Sequence, residues 1–230
     1  NSGLDLKSAS LGPDGIAYEQ FGAIHLFDLK TGKTKPVEIR VNGDFPELRA
    51  RLVNVGRQLR SPGISPTGAR AVFQARGEIV TVPAEKGDPR NLTNTTGVME
   101  RDPVWSPDGK TIAYFSDESG EYALHLRPQS ISDQVTKIAL NGEQAFPLFP
   151  RWSPDSKKIA WVDNRLNIWY MDLEAKKPIK IDKEPYFPAN PNLAPAWSPD
   201  GKWIAYARNL RSKMHAVFVY SIADAKSTQV

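Results

Sequence analysis

Cysteine is absent from the 230-residue chain, which excludes disulfides, thiolate metal sites and a cysteine nucleophile, and leaves the redox compartment open. Long apolar runs are missing too. Nothing approaches the ~18 residues of a membrane-spanning helix, and Asn1-Ser2-Gly3-Leu4 has neither the basic start nor the apolar core of an export signal. Charge of one sign never accumulates: Lys and Arg number 30 against 26 Asp and Glu, with no run of like charges that would serve as a nucleic-acid or membrane tail. Neither nucleic acid nor a membrane is therefore expected as a partner. Histidine occurs only three times, and the G-x-S-x-G elbow that exposes a hydrolase serine does not occur. At 40% hydrophobic and 24% charged residues, the composition suits one or two soluble globular domains with a substantial core.

Against these absences stands a repeat. Five copies of one short turn occur: Leu11-Gly12-Pro13-Asp14-Gly15, Ile64-Ser65-Pro66-Thr67-Gly68, Trp105-Ser106-Pro107-Asp108-Gly109, Trp152-Ser153-Pro154-Asp155-Ser156 and Trp197-Ser198-Pro199-Asp200-Gly201. Their prolines lie 53, 41, 47 and 45 residues apart. Each turn is followed by a short apolar run, as in Ile112-Ala113-Tyr114, then by a second, as in Ala123-Leu124-His125-Leu126, and by a shorter third. With the segment leading into the turn, every copy holds four strands.

The turn has a physical reading. Ser, Pro and Gly at successive places satisfy a type I turn followed by a residue with positive φ, the corner that joins two antiparallel strands. Ser156 stands where the others carry Gly, at an expected cost of roughly 1 kcal/mol for a Cβ in the left-handed region. The Trp before three corners, with Leu11 and Ile64 at the other two, is expected to plug the interface between neighbouring repeats. A catalytic Ser or Asp is needed once rather than five times, so the motif reads as construction. His25 and His125 sit in alternating strand positions of different copies and His215 opens the equivalent strand of the last; they read as structural or surface residues.

Four-stranded units of this length that cannot cover their own apolar faces identify an all-β fold, a β-propeller of four-stranded antiparallel blades, with five blade units in this chain. The innermost strand of each blade ends at the corner on one face of the disk. The opposite face collects the loops between second and third strands and the longer connections between blades, the usual place for recognition. Arg60, Arg76, Arg101, Arg151, Arg165, Arg208 and Arg211 fall in or beside these segments, and Arg can hold a peptide carboxylate with paired hydrogen bonds. The plainer reading is that they are solvated loop charges, interleaved with Glu100, Asp102, Asp117, Glu118 and Asp163.

The stretches "WSPDGKTIAYFSDESG", "RWSPDSKKIAWVDNRLNIWYMDL" and "PAWSPDGKWIAYAR" resemble the repeats shared by TolB-type propellers and the propellers of tricorn protease. Residues 65–93, "SPTGARAVFQARGEIVTVPAEKGDPRNLT", are more specific. They resemble the place in tricorn-type proteases where a six-bladed propeller ends and a seven-bladed one begins. The resemblance covers nearly the whole chain. It implies that residues 1–40 form the last blade of a first propeller, 41–60 the connecting segment, and 61–230 four blades of a second.

In that family the catalytic Ser and His lie in later domains, so the resemblance carries no catalytic residue into this chain. No cofactor-binding or metal-binding residue is expected, and the substrate-binding residues remain unnamed. The family implies gating and docking of peptides for a serine peptidase domain outside the chain, assembly into oligomers with other domains of the same protease, and a cytoplasmic setting. A TolB-like periplasmic scaffold that binds protein partners is the alternative. A third class, a propeller that is itself a lyase or cyclase, requires clustered His, Asp or Glu on the inner strands, which show Trp, Pro and Arg instead.

Overall fold

The computed structural model describes residues 6–46, 51–130, 134–140, 146–186, 194–212 and 214–230. The chain divides into two units, Asn1–Val53 and Asn54–Val230. The first holds one sheet, β1 (Leu6–Leu11), β2 (Gly15–Gln20), β3 (Ala23–Asp28) and β4 (Thr34–Pro36). The second holds four sheets. Its first blade is β5 (Leu59–Ile64), β6 (Arg70–Ala75), β7 (Glu78–Pro83) and β8 (Arg90–Asn91); the next is β9 (Glu100–Trp105), β10 (Thr111–Ser116), β11 (Ala123–Pro128) and β12 (Thr136–Ala139). Then come β13 (Pro147–Trp152), β14 (Lys158–Asp163), β15 (Asn167–Asp172) and β16 (Lys177–Lys183), and finally β17 (Ala196–Trp197), β18 (Trp203–Asn209), β19 (His215–Ser221) and β20 (Lys226–Gln229). In all five sheets the strands lie side by side in chain order and pair antiparallel. No blade borrows a strand from another among the described residues.

In the second unit the apolar residues of facing sheets meet at three seams. Val72 and Ile79 pack on Trp105, Ile112 and Tyr114. Ala113, Phe115, Leu124 and Ile138 pack on Ile159, Trp161, Trp169 and Met171. Ala160, Val162, Ile168 and Tyr170 pack on Ile204, Tyr206, Phe218 and Tyr220. Alternation of side chains along each strand gives every blade two apolar faces, and each face is removed from water only by its neighbour.

The corners match their chemistry. Gly68, Gly109 and Gly201 have φ of 72°, 70° and 68°, and Ser156 adopts the same left-handed conformation at 59°. In three corners the Ser hydroxyl meets the Asp carboxylate two residues on at 2.5 Å. The same carboxylate accepts the backbone N–H two residues further, Lys110, Lys157 or Lys202. The hydroxyl in turn accepts the N–H of Thr111, Lys158 or Trp203. Ser and Asp are thus consumed by the turn's own orphan amides.

Two expectations are corrected. The first copy does not form this corner: Gly12 N–H bonds to Gly15 O at 2.8 Å, whereas Ser65, Ser106, Ser153 and Ser198 bond to the carbonyl five residues on. Between Gly and Ile-Ala-Tyr the first copy lacks the two residues that the third has as Lys110-Thr111, so its hairpin is tighter. Gly15 lies within β2 and is required there because a Cβ would come 2.6 Å from Phe27 O. Secondly, Leu11 and Ile64 do not plug a seam. They are 74% and 73% exposed, since neither sits on a strand whose outward face is covered by a further described blade of its own unit. The three tryptophans do serve as wedges, with Trp105 only 8% exposed and packed in its seam.

Candidate functional site

The inner strands β5, β9 and β13 carry a feature that the periodicity hid. Each breaks register with its neighbour at its third residue, where Ser61, Asp102 and Phe149 take φ of 46°, 54° and 55°. A proline follows every time, Pro62, Pro103 and Pro150. Proline has no N–H to give a ladder and is tolerated at a bulge. The signal in the sequence was the repeated x-Pro three residues before each corner residue, and only coordinates show that it marks a bulge.

These bulges line a cleft of about 250 Å³, bounded by Ser61, Pro62, Asp102, Pro103, Phe149 and Arg151 among others. Within it Ser61 Oγ donates to Asp102 at 3.0 Å, and Asp102 also accepts from Arg101 at 3.0 Å. Phe149 is exposed, and Arg151 is exposed beside it. The cleft therefore offers apolar proline and phenylalanine surface with one carboxylate and one free-facing guanidinium. Its lining holds no histidine, and among the described residues no three His, Asp or Glu side chains converge as metal ligands do.

Each inner strand pairs on one side only, so its other edge would ordinarily invite a further strand. Here that edge is blunted. The prolines remove donors from it, while the indole N–H of Trp152 reaches Val104 O at 3.2 Å and that of Trp197 reaches Arg151 O at 3.0 Å across the seams, on carbonyls that face the paired strand.

The arginines separate by environment. Arg60, Arg76, Arg151, Arg165 and Arg211 are exposed, in keeping with solvated charges. Strand direction puts all of the set on the loop face except Arg151, which precedes Trp152 and so lies at the corner end of β13. Two are not loop charges at all. Arg101 is buried, with its guanidinium 3.5 Å from the Phe146 ring centre and 4.5 Å from that of Tyr122, and it donates to the Pro147 carbonyl. Arg208 pairs with Asp182 at 2.8 Å and lies over Phe218. His25 stacks on Tyr18 in the first unit, and His125 meets Tyr114 edge-on at the equivalent cross-strand pair of the second blade of unit two. The two pairs lie in different units, and His215 opens β19 of the last blade.

Radial four-stranded sheets in chain order, joined by apolar seams with an inner-strand cleft, define a β-propeller portion. Residues 59–230 match the tricorn protease second beta propeller domain, and the chain belongs to that family. Among solved structures it is similar to the tricorn protease (TM-score 0.64, 17% identity, covering 100% of this chain and 22% of that one). It is also similar to TolB from Acinetobacter baumannii (TM-score 0.56, 20% identity, 97% and 53% covered) and to an oligogalacturonate lyase in complex with manganese (TM-score 0.58, 14% identity, 90% and 54% covered). At these identities the likeness is one of fold. No match is found among curated proteins. The chain spans 53% of the TolB structure and 22% of the tricorn protease structure. No helix among the described residues is long and apolar enough to cross a membrane.

Proposed function

We propose that this chain is the non-catalytic propeller portion of a tricorn-like serine protease, and that it guides and docks peptides for a catalytic domain outside the chain. On this reading residues 1–40 close a preceding propeller, residues 41–60 connect, and residues 61–230 supply four blades of the next. The observation that carries it is the inner-strand cleft, where bulged, proline-marked edges resist strand addition while Phe149, Arg151 and Asp102 remain to meet side chains. A conduit needs that combination, because a passing chain that paired with an open edge would stay.

The reading places the protein in the cytoplasm as part of an oligomer. A TolB-like periplasmic scaffold is the second reading, supported by a similar fold. Titration of a fluorescent unfolded peptide bearing a C-terminal carboxylate tests the first. Binding that weakens about tenfold in Arg151→Ala, by loss of one charge-assisted bond, and weakens again in Phe149→Ala, is the expected result. Equal binding by both variants refutes it. The reading frame separates the alternatives: a PDZ-like region and a Ser-bearing catalytic region downstream belong to the protease, an export signal upstream and a stop after Val230 to the scaffold.

A further inference from the structure

The repeat acts as its own control, and one seam departs from it. On the blade of β9 to β12, cross-strand neighbours Tyr114, His125 and Lys137 form one row, with Ile112 and Arg127 in the next. The matching rows are Trp161, Trp169 and Lys180 with Ile159 and Met171 on the following blade, then Tyr206 and Phe218 with Ile204 and Tyr220 on the last. Two seams thus fill the third-strand stations with Trp169 and Met171 or with Phe218 and Tyr220. The remaining seam fills them with His125 and Arg127. Where the others are packed, this one holds a cavity of about 170 Å³, room for on the order of five waters at ~30 Å³ each.

Glu100 lines that cavity and is 2% exposed. Its Oε1 accepts from Thr95 at 2.7 Å, while Oε2 has no hydrogen-bond partner among the described residues. Again the repeat supplies the comparison. Glu184 holds the same station before the last blade: its N–H bonds to Leu166 O as that of Glu100 bonds to Gly77 O. Glu184, however, has both oxygens engaged, by Tyr186 N–H at 3.0 Å and Asn209 N–H at 2.7 Å. A buried carboxylate oxygen left unpaired beside a cavity is costly unless something enters to donate to it.

The charges say what kind of donor fits. Lys137 is taken by Glu118 at 2.6 Å, and Arg127 bears on the Tyr114 hydroxyl. Glu78 and Glu118 add their negative fields to that of Glu100. Of the lining residues, Glu100 and Glu118 balance Arg127 and Lys137, and Glu78, outside the lining, adds a further negative field. Tyr114 and His125 line the space with aromatic surface, as suits an alkyl-borne cation, and no metal-ligand cluster exists among the described residues.

We propose that this seam cavity binds a primary alkylammonium group, as carried by a lysine side chain or a peptide N terminus, with Glu100 as its counter-ion. The ammonium donates to Glu100 Oε2 and its alkyl stem lies along Tyr114. This does not depend on the inner-strand cleft, since none of the cavity's lining residues belongs to that cleft.

Calorimetric titration of the 230-residue chain at low salt tests it, with three probes: Nα-acetyl-lysine methylamide, alaninamide and, as an anionic control, butyrate. Saturable binding of one or both amines without binding of butyrate is the expected result. The lysine derivative binding alone assigns the side-chain ammonium, and alaninamide binding alone assigns the terminal one. Glu100→Gln, which keeps shape and removes charge, weakens the amine about tenfold or more. His125→Trp, which rebuilds the packed seam, abolishes binding while the chain melts cooperatively. No amine binding by the unmodified chain overturns the proposal and leaves a water-filled cavity. So does butyrate binding as well as the amines, or wild-type affinity in a folded Glu100→Gln. Should Glu100→Gln not fold, the amine-against-butyrate comparison and His125→Trp still decide.

Discussion

Trp152 of one blade donates its indole N–H to the carbonyl of Val104 on the inner strand of the blade before, at 3.2 Å. Trp197 repeats the relationship one blade later with Arg151 O at 3.0 Å. Trp105 stands at the same corner station, yet its Nε1 has no partner among the described residues and is buried. One residue type thus does two jobs at two corners and one job at the third. Each Trp wedges a seam, and where a bond forms it also ties the wedge to the backbone of the preceding blade.

The indole's share of stability follows from this difference. Trp152→Phe keeps most of the wedge and loses the bond, at a cost of about 1 kcal/mol. Trp105→Phe costs less in that respect, because it also removes a buried unpaired donor. Chemical denaturation of the two variants side by side checks the order; equal losses contradict it.

Ser156 offers a second comparison. Its left-handed backbone is strained, but its hydroxyl accepts the Asp108 N–H of the neighbouring corner at 3.1 Å. Ser156→Gly relieves about 1 kcal/mol of strain and forfeits a bond of similar size, so its stability stays within about 0.5 kcal/mol of the parent. Ser156→Ala keeps the strain and loses the bond, and unfolds about 1 kcal/mol more easily. Equilibrium urea unfolding with unchanged slope distinguishes the two.

Much of the scaffold was legible because corner chemistry is local. Pro, Asp and Gly specify a turn within five residues, and the strands on either side announce themselves by alternation. The first copy departs from the pattern for a reason equally local, since two residues absent after Gly15 turn a bulged corner into a tight one. The inner-strand bulges were out of reach: Ser61, Asp102 and Phe149 share no chemistry, and only the proline after each betrays a common backbone. Burial was the other blind spot. Arg101 looks like any loop charge in sequence, and nothing local reveals that Phe146 and Tyr122, which come from later segments, will fold over it.

Arg101 is accordingly expected to behave as a core residue. Its guanidinium faces two rings while bonding Asp102 and the Pro147 carbonyl across the seam. Lysine keeps the charge but cannot lie flat against both rings or hold two acceptors at once. Arg101→Lys therefore destabilises by about 2 kcal/mol, whereas Arg76→Lys at an exposed turn is neutral within about 0.5 kcal/mol. Thermal melts of both variants measure the contrast.

Acid sensitivity provides the last expectation. His125 is 3% exposed, and burial pushes its pKa below the usual 6.5, with Lys137 adding to the effect and Glu118 opposing it. Tyr114 and Arg127 complete the groups that face it in the cavity, with Glu100 beneath. The unfolded chain thus takes up a proton near pH 6.5 that the folded chain refuses, so stability falls as pH drops from about 6.5 towards the folded value. Glu100 works the other way. Burial raises its pKa above 4.5, so the folded state gains relative to the unfolded as pH falls through that raised value. Comparing the chain with His125→Phe cancels the Glu100 contribution to first order. The melting-temperature gap in favour of the variant widens as pH is lowered through 6.5 and below, and a gap independent of pH there shows that His125 titrates alike in both states.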